Sequence, residues 1–383
     1  MLGAEEHTVM VADWRAERVV WQSAGPGLVA VEWAREAMET TKATVTAVVP
    51  RDVVEMLEPW AQTLTIFRGG RIVWHGVLVT MTATAARVTL SAADGSVFFS
   101  RRRVPLARLW QQHDATQVMR TMVEDACGPL DATGMVSAIT TRESRIWVTA
   151  SWTPAECMLD DVVDDLVEQG LVWSVVAGRL LIGPVAAQHT TALLSDRDID
   201  GQMQVVKDGA AAVTDAHVVG KGVWGQWMDE DSPLGLLQVI EKADGAVREE
   251  ECRQMARRLV QDGAVTPRRL VMPSSARLLP TAPVRLEELL PGARVPVASS
   301  QTGVTVAATM AVKSVKVTAG DDGEHVNVTL VETKVTDDVP NLPDPALIDM
   351  RSPCEKELAR KNAHGSGGGR SDDDAEDVGV PPA

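Results

Sequence analysis

The chain has no tyrosine and only three phenylalanines in 383 residues, so aromatic contacts fall to its 11 tryptophans. It has four cysteines, Cys127, Cys157, Cys252 and Cys354, with wide spacings and no CxxC pair. That pattern excludes a dense disulfide framework and fits assembly in a reducing cytoplasm. Cys127, Cys157 and Cys252 fall on the apolar faces of predicted helices, where free cysteine behaves as a small hydrophobe. The acidic start, Met1-Leu2-Gly3-Ala4-Glu5-Glu6, lacks an apolar h-region, so no signal peptide is expected. No apolar run reaches the length of a membrane span. Positive charge is also scarce: 37 Lys and Arg face 53 Asp and Glu, a net charge of −16. Nucleic acid and anionic membrane surfaces are therefore poor partners.

What is present is mostly strand grammar. Ala43, Val45 and Ala47 alternate with Thr44, Thr46 and Val48 at strand period. Leu64–Arg68 and Arg71–Val79 flank Gly69-Gly70, a two-residue hairpin signal. The second of these strands is apolar on both faces and should lie inside a sheet. The period then changes. Asp114 can cap a helix carrying Val118, Met119, Met122 and Val123, and Gly128-Pro129 ends it. Thr153, Pro154 and Glu156 spell a capping box before the stripe Met158, Leu159, Val162, Val163, Leu166 and Val167. A hairpin follows at 171–182 around Ala177-Gly178. Strand-like pieces occur at 204–206 and 217–219. A helix over 246–262 has Glu249, Glu250 and Glu251 at its start, where acids suit the helix dipole.

From 265 the chain is β again, with a turn at Asp321-Asp322-Gly323. The expected fold class is α+β and β-rich. Two small β-barrel-like modules, 1–105 and 265–338, bracket an α/β insert of helices plus a hairpin at 106–190. A turn-rich segment with strands and a helix, 191–264, returns to the second module. The Gly- and Asp-rich tail at 339–383 is expected to be flexible, disordered and acidic.

Two phrases carry a resemblance. One is Leu64-Thr65-Ile66-Phe67-Arg68-Gly69-Gly70-Arg71-Ile72-Val73-Trp74-His75-Gly76. The other is Leu290-Pro291-Gly292-Ala293-Arg294-Val295-Pro296-Val297, followed by Val312–Val317 and Val326–Leu330. Together with the module order over residues 10–335, they resemble the hub-type minor tail proteins of long-tailed bacteriophages, as in phages of actinobacteria. The resemblance implies a structural virion protein with no catalytic role. It implies a homotrimeric ring at the tail tip or baseplate, assembled in the host cytoplasm. Such a ring would join the tail tube to tip components, with distal tail, tape-measure and tip or fibre proteins as partners.

Candidate chemistry is sparse. Asp196, Asp198 and Asp200 with Gly201 match the first half of a calcium loop, but position twelve is Lys207 where a bidentate Glu belongs. A polar turn between strands is the competing account, and otherwise no cofactor is expected. Asp160, Asp161, Asp164, Asp165 and Glu168 fall opposite an apolar stripe, as a solvated helix face does. The seven histidines form no HExxH and pair with no cysteine at ligand spacing. There is no GxSxG elbow, and Gly220-Lys221-Gly222 lacks the rest of a phosphate loop. His75 reads as a satisfied core or interface histidine. Trp224 and Trp227, in a Gly-rich stretch, are the expected exposed pair, suited to a subunit contact. Two other functions remain open on sequence alone. A tail-associated cell-wall hydrolase would lose activity on changing Asp196 or Asp198. A host-surface glycan-binding module would depend on Trp224.

Overall fold

A computed structural model describes residues 1–332 apart from residues 16, 155, 208, 211, 244, 245, 247, 264–267, 273–275 and 301–305. The expected Gly-rich, acidic tail at 339–383 and Cys354 lie outside the described residues. The architecture is β-rich α+β.

Seven strands lead: β1 (His7–Asp13), β2 (Arg18–Ala24), β3 (Leu28–Glu36), β4 (Lys42–Ala47), β5 (Gln62–Arg68), β6 (Arg71–Ala83) and β7 (Val88–Asp94), with the short helix α1 (Arg51–Val54) between β4 and β5. The insert carries β8 (Arg108–Asp114), α2 (Ala115–Cys127), β9 (Thr140–Thr141), β10 (Trp147–Trp152), α3 (Leu159–Glu168), β11 (Trp173–Val176) and β12 (Arg179–Ile182). Then follow β13 (Leu194–Ser195), β14 (Ile199–Asp200), β15 (Gln204–Lys207), β16 (Asp215–Val219), β17 (Trp224–Met228), β18 (Gln238–Lys242) and α4 (Glu249–Gly263). The last are β19 (Arg268–Val271), β20 (Ala276–Leu278), β21 (Arg294–Ser299), β22 (Val306–Gly320) and β23 (Gly323–Glu332).

The two β-modules meet in one sheet. Its strand order among the described residues is β14-β20-β23-β22-β3-β4-β7-β6-β5-β1-β2, with β21 on β22 and β13 on β21. The join is β3 against β22, antiparallel from Val31–Ala319 to Glu36–Ser314. One hydrophobic core runs beneath both halves, from Val9, Trp33, Val45 and Leu64 to Val297, Val315 and Val328. As the apolar pattern of β6 requires, that strand lies inside the sheet, between β5 and β7. The β5–β6 turn places Gly69 and Gly70 at φ 54° and 78°, the doubly left-handed geometry of a type I′ hairpin.

The insert builds a second core from Val118, Met119, Met122, Leu159, Val162, Leu166 and the β11–β12 hairpin. Asp114 caps α2 as expected, accepting from the Thr116 amide at 2.9 Å, and also accepts from the amides of Ser144 and Arg145. The start of α3 departs from expectation. Thr153 and Glu156 close only a turn, and the helix begins at Leu159. The reason is pairing: the Val104 amide donates to Cys157 O, the Leu159 amide donates to Arg102 O, and Met158 bridges Arg103. That holds residues 157–159 extended, and Asp161 accepts from the Met158 amide at 2.8 Å in place of Glu156.

A third, smaller core lies under α4. Ala216 and Val218 of β16 meet Cys252, Ala256 and Val260. Gly225 of β17 lies directly beneath the helix. A β-carbon there would approach the Arg253 backbone N at 2.4 Å, so the close seating of α4 requires glycine. Among the described residues no helix is long and apolar enough to cross a membrane.

Candidate functional site

The three-stranded sheet β17-β16-β18 carries α4 on one face only. Side chains alternate across a strand, so the register assigns each residue to a face. Val218 pairs Gly225 and Ala216 pairs Trp227, which puts Trp227 on the helix side. There its ring takes the Arg257 guanidinium at 4.9 Å, and 37% of the side chain remains exposed.

Trp224 points the other way. It pairs Val219, and its ring stacks on His217 at 4.7 Å between centroids, 25° from parallel. On the same face lie Met228, opposite Asp215, and Ile240, opposite His217. Trp224 is 56% exposed and Ile240 74%, with Val219 and Met228 also open to solvent. Asp215 organises this face from within it: it is buried and accepts from Gln226 Nε2 at 2.8 Å and Gln238 Nε2 at 2.7 Å. Those two hydrogen bonds hold its carboxyl below the usual carboxylate range. A buried carboxylate thus ties three strands together, and on the same face Trp224, Ile240, Val219 and Met228 stand exposed among the polar side chains of His217, Gln226, Gln238 and Lys242. Exposed apolar side chains grouped on one rigid sheet face are the chemistry of a protein contact.

The expected exposed tryptophan pair is therefore divided between two faces, because positions three apart in a strand point oppositely. Sequence reading missed Ile240 and Met228 as companions of Trp224. The alternation in Trp224-Gly225-Gln226-Trp227-Met228 holds the signal, and the parallel pairing of β18 with β16 does not show in local sequence.

The half-loop at 196–200 is built as a turn. Asp198 is buried and accepts from the Ser195 amide at 2.8 Å and the Ser195 hydroxyl at 2.7 Å. Asp196 reaches β21, accepting from the Ser299 hydroxyl and the Ser300 amide, both at 2.8 Å. Asp200 sits in β14, opposite Arg277. Asp196 and Asp198 thus hold different parts of the backbone, and Asp200 is an exposed strand residue. Among the described residues no three His, Cys, Asp or Glu side chains gather as a metal cage.

The acidic face of α3 is largely solvated, with three members engaged, among them Asp160, which accepts from the Asp161 amide at 3.1 Å. Asp161 serves the helix start, and Asp165 accepts from Trp152 Nε1 at 2.8 Å. His75 is partly buried, with Nδ1 2.8 Å from the Thr65 hydroxyl, and burial pushes its imidazole below the ordinary range.

A buried ionic cluster went unread. Arg68, with 2% of its side chain exposed, meets Glu324 of β23 at 2.7 Å and donates to the carbonyls of Leu2 and Gly3. His7 lies 3.7 Å from the same carboxylate, and Trp33 Nε1 donates to its Nε2 at 3.5 Å. The cluster fastens β5, β23 and the residues before β1 to one another, a structural task.

No protein-family model matches the chain, and no curated protein matches its sequence. Solved structures share its fold. The 43 kDa tail protein of prophage MuSo2 from Shewanella oneidensis matches with a TM-score of 0.55 at 13% identity, over 86% of this chain and 98% of that one. A tail protein from Neisseria meningitidis MC58 matches at 0.51 and 12% identity, over 85% and 96%. The prophage tail protein gp18 from Listeria monocytogenes EGD-e matches at 0.50 and 11% identity, over 85% and 95%. At these identities the likeness establishes a shared fold.

Proposed function

We infer that this chain is a structural component of a bacteriophage tail tip, a hub subunit that joins the tail tube to tip components. The observation that carries this reading is the extent of the shared fold. The match to the MuSo2 tail protein covers 86% of this chain and 98% of that one, so the likeness extends over most of both chains. The reading extends to a homotrimeric ring in the virion, assembled in the host cytoplasm, with the tube, distal tail, tape-measure and fibre proteins as neighbours. It assigns no catalytic step. Asp198, Asp196, Asp161 and Asp165 hold a turn, a strand end, a helix start and a tryptophan, which is work a structural subunit requires.

The open face of β17-β16-β18 supports subunit contact. It sets Trp224, Ile240, Val219 and Met228 on a sheet whose other side is closed by α4. In this account the face meets a second copy of the chain. Light scattering on the purified protein checks it. The Trp224→Ser/Ile240→Ser double variant is expected to weaken self-association about tenfold or more, as loss of a buried aromatic anchor does, without lowering the melting temperature. Unchanged self-association in the variant, or a strict monomer at high concentration for the parent, would rule the contact out.

A further inference from the structure

We propose that the groove between the tip of the β22–β23 hairpin and the start of β3 takes a basic segment of a partner protein, added as a short strand beside Leu28–Ala30. The groove is open and has a volume of about 740 Å³. It lies where a ladder stops. β22 pairs β3 from Glu36–Ser314 to Val31–Ala319, and its chain then turns at Asp321-Asp322 into β23. β3 itself runs three residues further, to Leu28. Those residues are held on their other side by β4, through Leu28–Ala47 and Ala30–Thr46. Among the described residues no strand continues the ladder beside them where β22 ends. A β-carbon placed on Gly320 would stand 3.5 Å from the Val29 carbonyl oxygen, so that oxygen lies on the groove side of β3.

An open strand edge offers its amide and carbonyl groups to an added strand. Other strands of this molecule also end a sheet, β2 among them. What sets the start of β3 apart is the groove around it. Residues 4–7 and the hairpin tip wall it, and Leu28 and Val29, both half-buried, give it an apolar lining. A strand laid here gains backbone pairing and apolar contact together.

The walls set the charge of the occupant. Four carboxylates line the groove, Glu5, Glu6, Asp321 and Glu324, with one arginine, Arg87. Arg68 engages Glu324 at 2.7 Å and Glu5 at 3.4 Å, which leaves Glu6 and Asp321, both exposed, to meet an incoming cation. The acids do not converge on a point: among the described residues no three His, Cys, Asp or Glu side chains gather as a metal cage. The groove therefore suits Lys or Arg side chains carried on a chain better than one compact cation. Phosphate-bearing polymers would be repelled. The excess of acid in this chain, 53 Asp and Glu against 37 Lys and Arg, disfavours a second copy as the source of the segment.

The test is fluorescence anisotropy on the full chain with a labelled peptide of alternating Lys and Val. A Glu-Val peptide reads the charge preference, and a fully N-methylated Lys-Val peptide reads the backbone pairing. The Lys-Val peptide should bind, and both controls should bind about tenfold or more weakly. Asp321→Lys should weaken binding by a similar factor. Asp322→Lys, the same change at the next turn residue, which does not line the groove, should leave it unchanged. Gly320→Leu should block the edge. Its backbone is not left-handed and its β-carbon meets nothing closer than 3.5 Å, so the hairpin accommodates it while the leucine covers the Val29 carbonyl. Equal binding of the Lys-Val peptide and either control, or no effect of Asp321→Lys, would overturn the proposal. Loss of self-association in Asp321→Lys by light scattering, with no peptide bound by the parent, would also overturn it, in favour of a second copy. Should Gly320→Leu unfold the protein, Asp321→Lys and the methylated peptide decide.

Discussion

Replacing Arg68 with alanine is expected to cost about 3–5 kcal/mol of stability, because it leaves the Glu324 carboxylate buried without its cation. Glu324 has 5% of its side chain exposed, and Arg68 meets it through Nε at 2.7 Å and Nη2 at 2.9 Å. The carbonyls of Leu2 and Gly3 lose their donor in the same substitution. Arg68 also meets Glu5 at 3.4 Å, and among the described residues the other cationic group beside Glu324 is His7, whose imidazole burial pushes below its ordinary range, so it is a poor substitute for the lost guanidinium at neutral pH. Urea denaturation measures the effect. The double variant Arg68→Met/Glu324→Leu is expected to recover more than half of the loss, since removing both charges removes the desolvation cost as well. A single variant within about 1 kcal/mol of the parent would show that the cluster carries no such weight.

The second large effect is expected at Gly225. A valine there places side-chain atoms where the backbone of Arg253 and Cys252 now runs, at 2.4 and 2.8 Å from the first added carbon. Neither contact can be relieved by rotating a side chain, so α4 must lift from β17. The small core of Ala216, Val218, Cys252, Ala256 and Val260 would open, at a cost of about 3 kcal/mol. The damage should stay local, because the larger cores share no residue with this one. Hydrogen exchange is the measurement. Protection should fall in β16, β17, β18 and α4 and persist in β3, β4, β7 and β22. Unchanged protection in α4 would contradict the close approach.

The gap between sequence and structure lies in non-local pairing. Local signals read true where the cause is local. Gly69-Gly70 and Ala177-Gly178 turn hairpins through positive φ, Asp114 caps α2, and the acids at 249–251 open α4. The predicted start at Thr153 failed because backbone partners far along the chain, Arg102 and Val104, hold the following residues extended. The sharing of one sheet by the two β-regions was not legible, since the edge of β3 pairs with a strand almost 300 residues later. For the same reason Trp224 was legible as exposed while its neighbour Ile240, supplied by a parallel strand, was not. The half-loop at Asp196 matched only the first half of a calcium loop as a string, with a polar turn as the competing account. It resolves into turn and strand contacts because Ser299 and Ser300 reach it from β21 and the residue after.

Most directly, the account stands on whether the chain is built into a particle. Phage particles produced from the genome that encodes it can be purified and labelled with an antibody against the described region. The account predicts a small fixed number of copies per particle by quantitative mass spectrometry, with label at the tip of the tail. Particles complete with tails that lack the chain, or label on the head or along the tail shaft, would contradict it.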